Sequence, residues 1–236
     1  MIPVALQNLL LQIIINMRLH IITTPNTSPI PFNYQQKLTG VIHKWLGNNN
    51  EEHGEISLYS FSWLQNTVAG KDGLDCMKGS KWFFSIYSIQ RAKDVISAIR
   101  EKPELFCGMQ VNQVIIEDTP DLSNRELFYL GSPILIKRPN GNKTTEYGYE
   151  NPISGKLLED TLRTKIQKAG LPDDETLQIK FDLSYPKKKK KLVWYDGISN
   201  SANMCPIIIQ GSNETKQFAW NVGLGSCTGI GFGSIY

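Results

Sequence analysis

The chain has 236 residues, 41% of them apolar and 20% charged, which suits a globular protein with one large core or two units of about a hundred residues each. Its net charge of +3, from 25 basic and 22 acidic residues, excludes no class of partner, so any preference must come from where the charge is placed. The four cysteines (Cys76, Cys107, Cys205, Cys227) are scattered without a CxxC pair, and three histidines are too few to complete a zinc site; this points to free thiols in a reducing cytoplasm and to no structural metal or cofactor.

Residues 1–16 are apolar and uncharged, lack the basic start and cleavage site of a signal peptide, and are short for a membrane span. They read either as an extension ahead of a native start at Met17 or as a peripheral amphipathic helix. The β-branched stretch 18–24 predicts a strand, stopped by Pro25, Asn26, Pro29 and Pro31. A helix is expected over 33–46, closed by Gly47, with Leu38, Val41, Ile42 and Trp45 at i, i+3, i+4, i+7. After the polar loop 48–54 come alternating Ile56, Leu58 and Ser60, a strand over 82–89, a helix through Ala92, Val95, Ile96 and Ile99, and a strand over 109–116. This βαββαβ order defines a ferredoxin-like unit.

After Pro120 the order begins again. Strands are predicted over 127–136 and 177–183, a turn at 139–142, a helix over 156–169, one or two strands within 191–209, and a helix over 213–222. The fold class is therefore α+β, two ferredoxin-like units in tandem over 17–120 and 121–236, with the boundary near 118–124. The closing stretch holds Gly223, Gly225, Gly229, Gly231 and Gly233, spaced as G-apolar-G, five residues, G-apolar-G, ahead of a strand-like 230–236. Glycine is worth its entropy only where φ is positive or another backbone comes close. The loop thus reads as bare N–H groups facing an anion. It is neither a Rossmann loop, which opens a helix after the first strand, nor a P-loop, which ends in Gly-Lys-Ser/Thr.

These glycines fit the G-φ-G-x5-G-φ-G pattern of the CRISPR-associated repeat-processing endoribonucleases of the RAMP superfamily, and the chain resembles that family from Met17 to Tyr236. A first strand directly after Met17 suits it. The stretch 38–46 resembles the family's first helix, with His43 at a position often held by tyrosine; residues 58–62 (Leu-Tyr-Ser-Phe-Ser) resemble its aromatic–Ser–aromatic–Ser strand, and His53 falls close to its second histidine. The helical angle independently puts His43 on the polar face, near Gln36 and Gly40. His20, alternating with Leu19 and Ile21, reads as a sheet-face side chain. Members often place a lysine after the histidine; here Gly54-Glu55-Ile56-Ser57 stands there, and Lys44 or Lys37 is the nearest substitute.

The resemblance implies cleavage of precursor CRISPR RNA within its repeats by 2′-OH attack, leaving a 2′,3′-cyclic phosphate and a 5′-hydroxyl, with no metal. His43 and His53 would share the general-base and general-acid roles, and Lys44 would stabilise charge. Lys187, Lys188, Lys189, Lys190 and Lys191 read either as a solvated hairpin tip or as a patch tracking RNA phosphates. Trp194 and Tyr195, which follow, are candidates for base stacking or for the core. The expected partners are repeat RNA and other subunits of an interference complex; a homodimer is compatible, a membrane is not expected. Two rivals are a non-catalytic RAMP scaffold subunit and an RRM-like binder, the latter lacking its paired-aromatic pattern.

Overall fold

A computed structural model describes residues 17–47, 56–141 and 143–236; the extension 1–16 and His53 lie outside the described residues. In the first unit, β1 (Met17–Thr23), β2 (Tyr59–Phe61), β5 (Lys81–Ile86) and β6 (Val111–Asp118) form an antiparallel sheet of order β2-β5-β1-β6. This is the ferredoxin-like order, with α1 (Gln35–Leu46) and α2 (Ile89–Glu101) as crossovers and a small hairpin, β3 (Val68–Ala69) with β4 (Leu74–Asp75), inserted before β5. The apolar stripe of α1 packs on the sheet as its spacing predicts, and Trp45 stacks on Trp82 with centroids 6.1 Å apart.

Alternation along the strands explains how a second layer attaches. Leu19, Ile21, Tyr59, Phe61, Trp82 and Phe84 face the helices. The residues between them, Arg18, Ser60, Ser62 and Ser85, are buried as well. A polar face is buried only when partnered, and here the second unit supplies partners. Ser60 donates to the Asn221 carbonyl at 3.0 Å. Trp63 Nε1 donates to the Gly231 carbonyl at 2.8 Å.

The second unit repeats the topology with two insertions. Strands β7 (Leu127–Phe128), β10 (Gln178–Phe181) and β13 (Ile207–Gln210) form a sheet of order β10-β13-β7, crossed by α3 (Ser154–Lys168) and α4 (Asn213–Val222). The chain end completes it beside β7, through two backbone hydrogen bonds between Tyr129 and Tyr236. Two hairpins are inserted, β8 (Lys137–Asn140) with β9 (Lys143–Glu146), and β11 (Lys189–Tyr195) with β12 (Ile198–Met204). The strand expected over 127–136 is broken: after Phe128 only bridges at Leu130, Ile134 and Leu135 remain, around Pro133, which has no N–H for a ladder. The expected final strand is likewise a 3-10 turn (Thr228–Ile230) and one bridge at Ile235.

Arg18, 2% exposed, joins the units. Its Nε donates to Ser85 Oγ at 2.7 Å, and one terminal nitrogen donates to the carbonyls of Trp220 (2.9 Å) and Ile235 (2.7 Å). The guanidinium carbon lies 3.8 Å from the Phe83 centroid and 3.3 Å from that of Trp220. Burial pushes its pKa well down, against an upward pull from Glu117, so the carbonyls and ring faces are what hold the cation. Arg18→Lys keeps the charge but loses the planar fork. It is expected to cost about 2–4 kcal/mol of unfolding free energy, read as a lower urea midpoint, because buried carbonyls are stranded.

Candidate active site at the junction of the two units

The glycine-rich tail is a packing device rather than a nest of free donors. All five glycines are buried. The N–H groups of Gly223, Gly231 and Gly233 donate to the carbonyls of Ala219, Thr228 and Pro133, which corrects the expectation of bare donors at those three positions. The mirrored spacing has a geometric origin: the two G-apolar-G halves lie against each other, with Leu224 N–H donating to the Gly233 carbonyl at 2.8 Å. A Cβ on Gly233, where φ is +68°, would stand 1.9 Å from the Leu224 carbonyl oxygen. At Gly229 a Cβ would meet Ser57 Oγ at 2.3 Å, and at Gly231 the Phe61 ring at 2.9 Å, so the tail also presses on the first unit.

Between the halves, Gly225–Thr228 stays open to a cavity of about 590 Å³. Its other walls are Ile56 and Ser57 of the first unit, one side of α3 (Asp160, Thr161, Thr164, Lys165) and Arg138 of β8. Lys165 is 2% exposed, and its ammonium donates to the carbonyls of Val222 (2.8 Å) and Gly223 (3.2 Å) and to Thr228 Oγ1 (2.9 Å). It thereby sits at the negative end of α4 and ties the tail to α3. Arg138 donates to the Leu157 carbonyl and to Thr161 Oγ1 at 2.7 Å. Among the described lining residues, two cations therefore stand against one carboxylate, Asp160.

His43 reaches this junction through one intermediary. The Tyr59 hydroxyl lies 3.4 Å from His43 Nε2 and donates to the Gly229 carbonyl at 3.3 Å, next to cavity-lining Thr228. The hairpin β11–β12 closes on the same face of α1, where Tyr195 hydrogen-bonds Thr39; burial raises the Tyr195 pKa, with Asp196 and Cys227 adding to it. His43 is thus half-buried rather than solvent-facing, because the second unit covers the polar side of α1.

The remaining candidates separate. Lys44 leaves the junction: its ammonium donates to the Glu104 carbonyl at 2.8 Å and lies 3.9 Å from Glu104 Oε2, which corrects its expected place beside His43. Lys37 is exposed near the start of α1. His20 pairs with Glu117 at 2.7 Å on the sheet face it shares with Arg18, in a recess lined also by Trp220 and Tyr236 of the second unit. The lysine run is not a hairpin tip, which is Asp196-Gly197 with positive φ at both residues; it leads into β11 and its members diverge. Lys187 and Lys189 are exposed, Lys188 donates to the Tyr185 carbonyl, Lys190 pairs with Glu150, and Lys191 lies 4.5 Å from the Trp63 centroid.

Sequence reasoning missed Lys165, Arg138 and Tyr59. Lys165 did leave a signal, a charge on the buried stripe of α3 beside Leu158, Leu162 and Ile166. Among the described residues no cluster of three or more His, Cys, Asp or Glu could hold a metal ion, and no helix is long and apolar enough to cross a membrane.

Two ferredoxin-like units closed on a glycine-rich tail are the architecture of a CRISPR-associated protein of the RAMP class. Residues 117–236 match the family model described as CRISPR associated protein Cas6, C-terminal. The chain belongs to the Cas6 family. A structure of the product of a Cas6-related gene from Pyrococcus furiosus has a TM-score of 0.80 at 20% identity, covering 94% of this chain and 98% of that one. A CRISPR associated protein Cas6 scores 0.78 at 19% identity over the same shares. A RAMP protein described as binding different RNA substrates scores 0.79 at 18%, covering 93% of this chain and 98% of that one. Among curated proteins none matches the sequence.

The geometry turns the glycines into stability determinants. Gly225→Leu, at φ +76° with a Cβ 2.5 Å from the Leu135 carbonyl oxygen, is expected to lose about 2–4 kcal/mol in a denaturant melt. A variant with weakened RNA binding and an unchanged melt would show that Gly225 serves as an RNA contact alone.

Proposed function

We propose that the protein cleaves precursor CRISPR RNA within its repeats, using the RNA's own 2′-OH and no metal ion. The supporting observation is His43, held by Tyr59 against the tail next to a cavity carrying Arg138 and Lys165. The 2′-oxygen attacks the adjacent phosphorus, the bond from phosphorus to the 5′-oxygen breaks, and a 2′,3′-cyclic phosphate and a 5′-hydroxyl result. One proton leaves the 2′-OH and one must reach the departing oxygen, so two proton carriers suffice. His43 serves as base and His53 as acid. Histidine suits both roles because its ordinary pKa is about 6.5.

Charge growing on the phosphorane oxygens needs a fixed cation. The sequence candidate Lys44 is engaged by Glu104, so Arg138 and Lys165 are the better candidates, Lys165 by shaping the Gly225–Thr228 segment as much as by its own charge. Gly223, Gly225, Gly229, Gly231 and Gly233 then act by fixing the cavity wall, and the exposed Lys187 and Lys189 hold phosphates of the bound RNA. The protein works in the cytoplasm, with other subunits receiving the guide RNA. The engagement of Lys44 also favours a second reading, a RAMP subunit that holds repeat RNA uncut.

A cleavage assay in EDTA separates the two. Repeat RNA should be cut once, and a 2′-deoxy sugar at the cut site should abolish the cut. His43→Ala and His53→Ala should each slow single-turnover cleavage by about 10²–10⁴-fold. Tyr59→Phe should slow it less, as befits a positioning residue. Tight binding by the wild type with no product would move the protein to the scaffold reading.

A further inference from the structure

A second groove, of about 480 Å³, lies where the hairpin of the second unit meets the start of α1. One wall is four consecutive residues of β11, 191–194; since neighbours along a strand point to opposite faces, the groove follows the strand's edge. That edge is open, for among the described residues β11 pairs only with β12. The other wall includes Phe32, Gln35 and Trp63.

Phe32 is 58% exposed, Trp194 59% and Leu192 67%, a concentration of bare apolar surface beside the most lysine-rich stretch of the chain. Lys191, whose ammonium lies over the Trp63 ring, lines the groove, and no carboxylate is among its described lining residues. Flat apolar rings interleaved with cations suit single-stranded nucleic acid, whose bases stack while its phosphates seek positive charge. A peptide adding a strand to the open β11 edge would need neither the lysines nor the lack of carboxylates.

We infer that this groove is a stacking subsite for an unpaired stretch of RNA, with a base against Trp194 or Phe32 and its phosphate toward Lys191 and Lys189. The inference rests on the reading of the protein as one that binds RNA, and extends it to a place that neither His43 nor the cavity occupies. Stacking is tolerant of sequence, so the subsite accepts unstructured RNA as well as the single-stranded flank of a repeat.

The test is binding of labelled RNA to wild type, Trp194→Ala, Trp194→Phe and Phe32→Ala, using both repeat RNA and a short unstructured RNA. Trp194→Ala should weaken both about tenfold, and Trp194→Phe should restore most of the loss. Exposure of Trp194 implies an unchanged melt for these variants. If wild type binds and cuts repeat RNA while both alanine variants bind as tightly as it does, the subsite is overturned and the repeat-cleavage reading stands. If unstructured RNA binds through Trp194 in a protein that cuts no repeat, the subsite holds and cleavage fails. Wild type that binds neither RNA, or self-association that Trp194→Ala abolishes at unchanged RNA affinity, assigns this face to protein contacts and overturns the subsite.

Discussion

The junction depends on how the C-terminal end of α4 is held. Its last carbonyls point out of the helix with no N–H to receive them and carry the negative end of the helix dipole. Two buried cations from different parts of the chain take them. Arg18 of β1 donates to the carbonyls of Trp220 and Ile235, and Lys165 of α3 to those of Val222 and Gly223. Because Arg18 grips both the helix end and the last residues, the tail between them is anchored at both ends to the first unit. Its glycines then have little freedom to be anything but close-packed backbone.

That anchoring decides what the glycines do. Read alone, a run of glycines with mirrored spacing suggests exposed amides facing an anion. In the folded chain, Gly223 and Gly233 let two backbone segments cross at hydrogen-bonding distance, and Gly229 and Gly231 let them lie on Ser57 and Phe61. The aromatic–Ser–aromatic–Ser strand is the matching half of this contact. Its aromatics fill the first core, and Ser60 turns outward to the Asn221 carbonyl. The two motifs, more than 160 positions apart, are one interface.

Local periodicity carried the legible part of the fold. The stripes of α1 and α4 and the apolar strands are nearest-neighbour patterns, and helix 213–222 agrees with the spacing to the residue. What escaped the sequence is what depends on a second layer. His43 sits on the polar face of α1 by angle, yet it is half-buried because Tyr59, the tail and the hairpin cover that face. Lys44, one position on, is turned by the same helical step toward Glu104 instead. Pro133 interrupts a run whose composition reads as strand throughout, and the lysine run lies at the base of a hairpin rather than its tip, because Asp196-Gly197 makes the turn.

The hairpin's alternation gives it two jobs at once. Tyr195 turns toward Thr39 in the middle of α1, while the neighbouring Trp194 lines the groove at the start of that helix. From Gln35 to His43 is eight residues, about 12 Å at 1.5 Å per residue. The stacking groove and the histidine are therefore two ends of one short rigid helix, spanned on its outer side by one hairpin. A strand of RNA seated by its bases in the groove would reach His43 along a path whose length is set by helix geometry rather than by a flexible loop. The modest net charge of +3 is no obstacle to this. The field that matters is local: Lys189 and Lys191 at one end, Arg138 and Lys165 at the other.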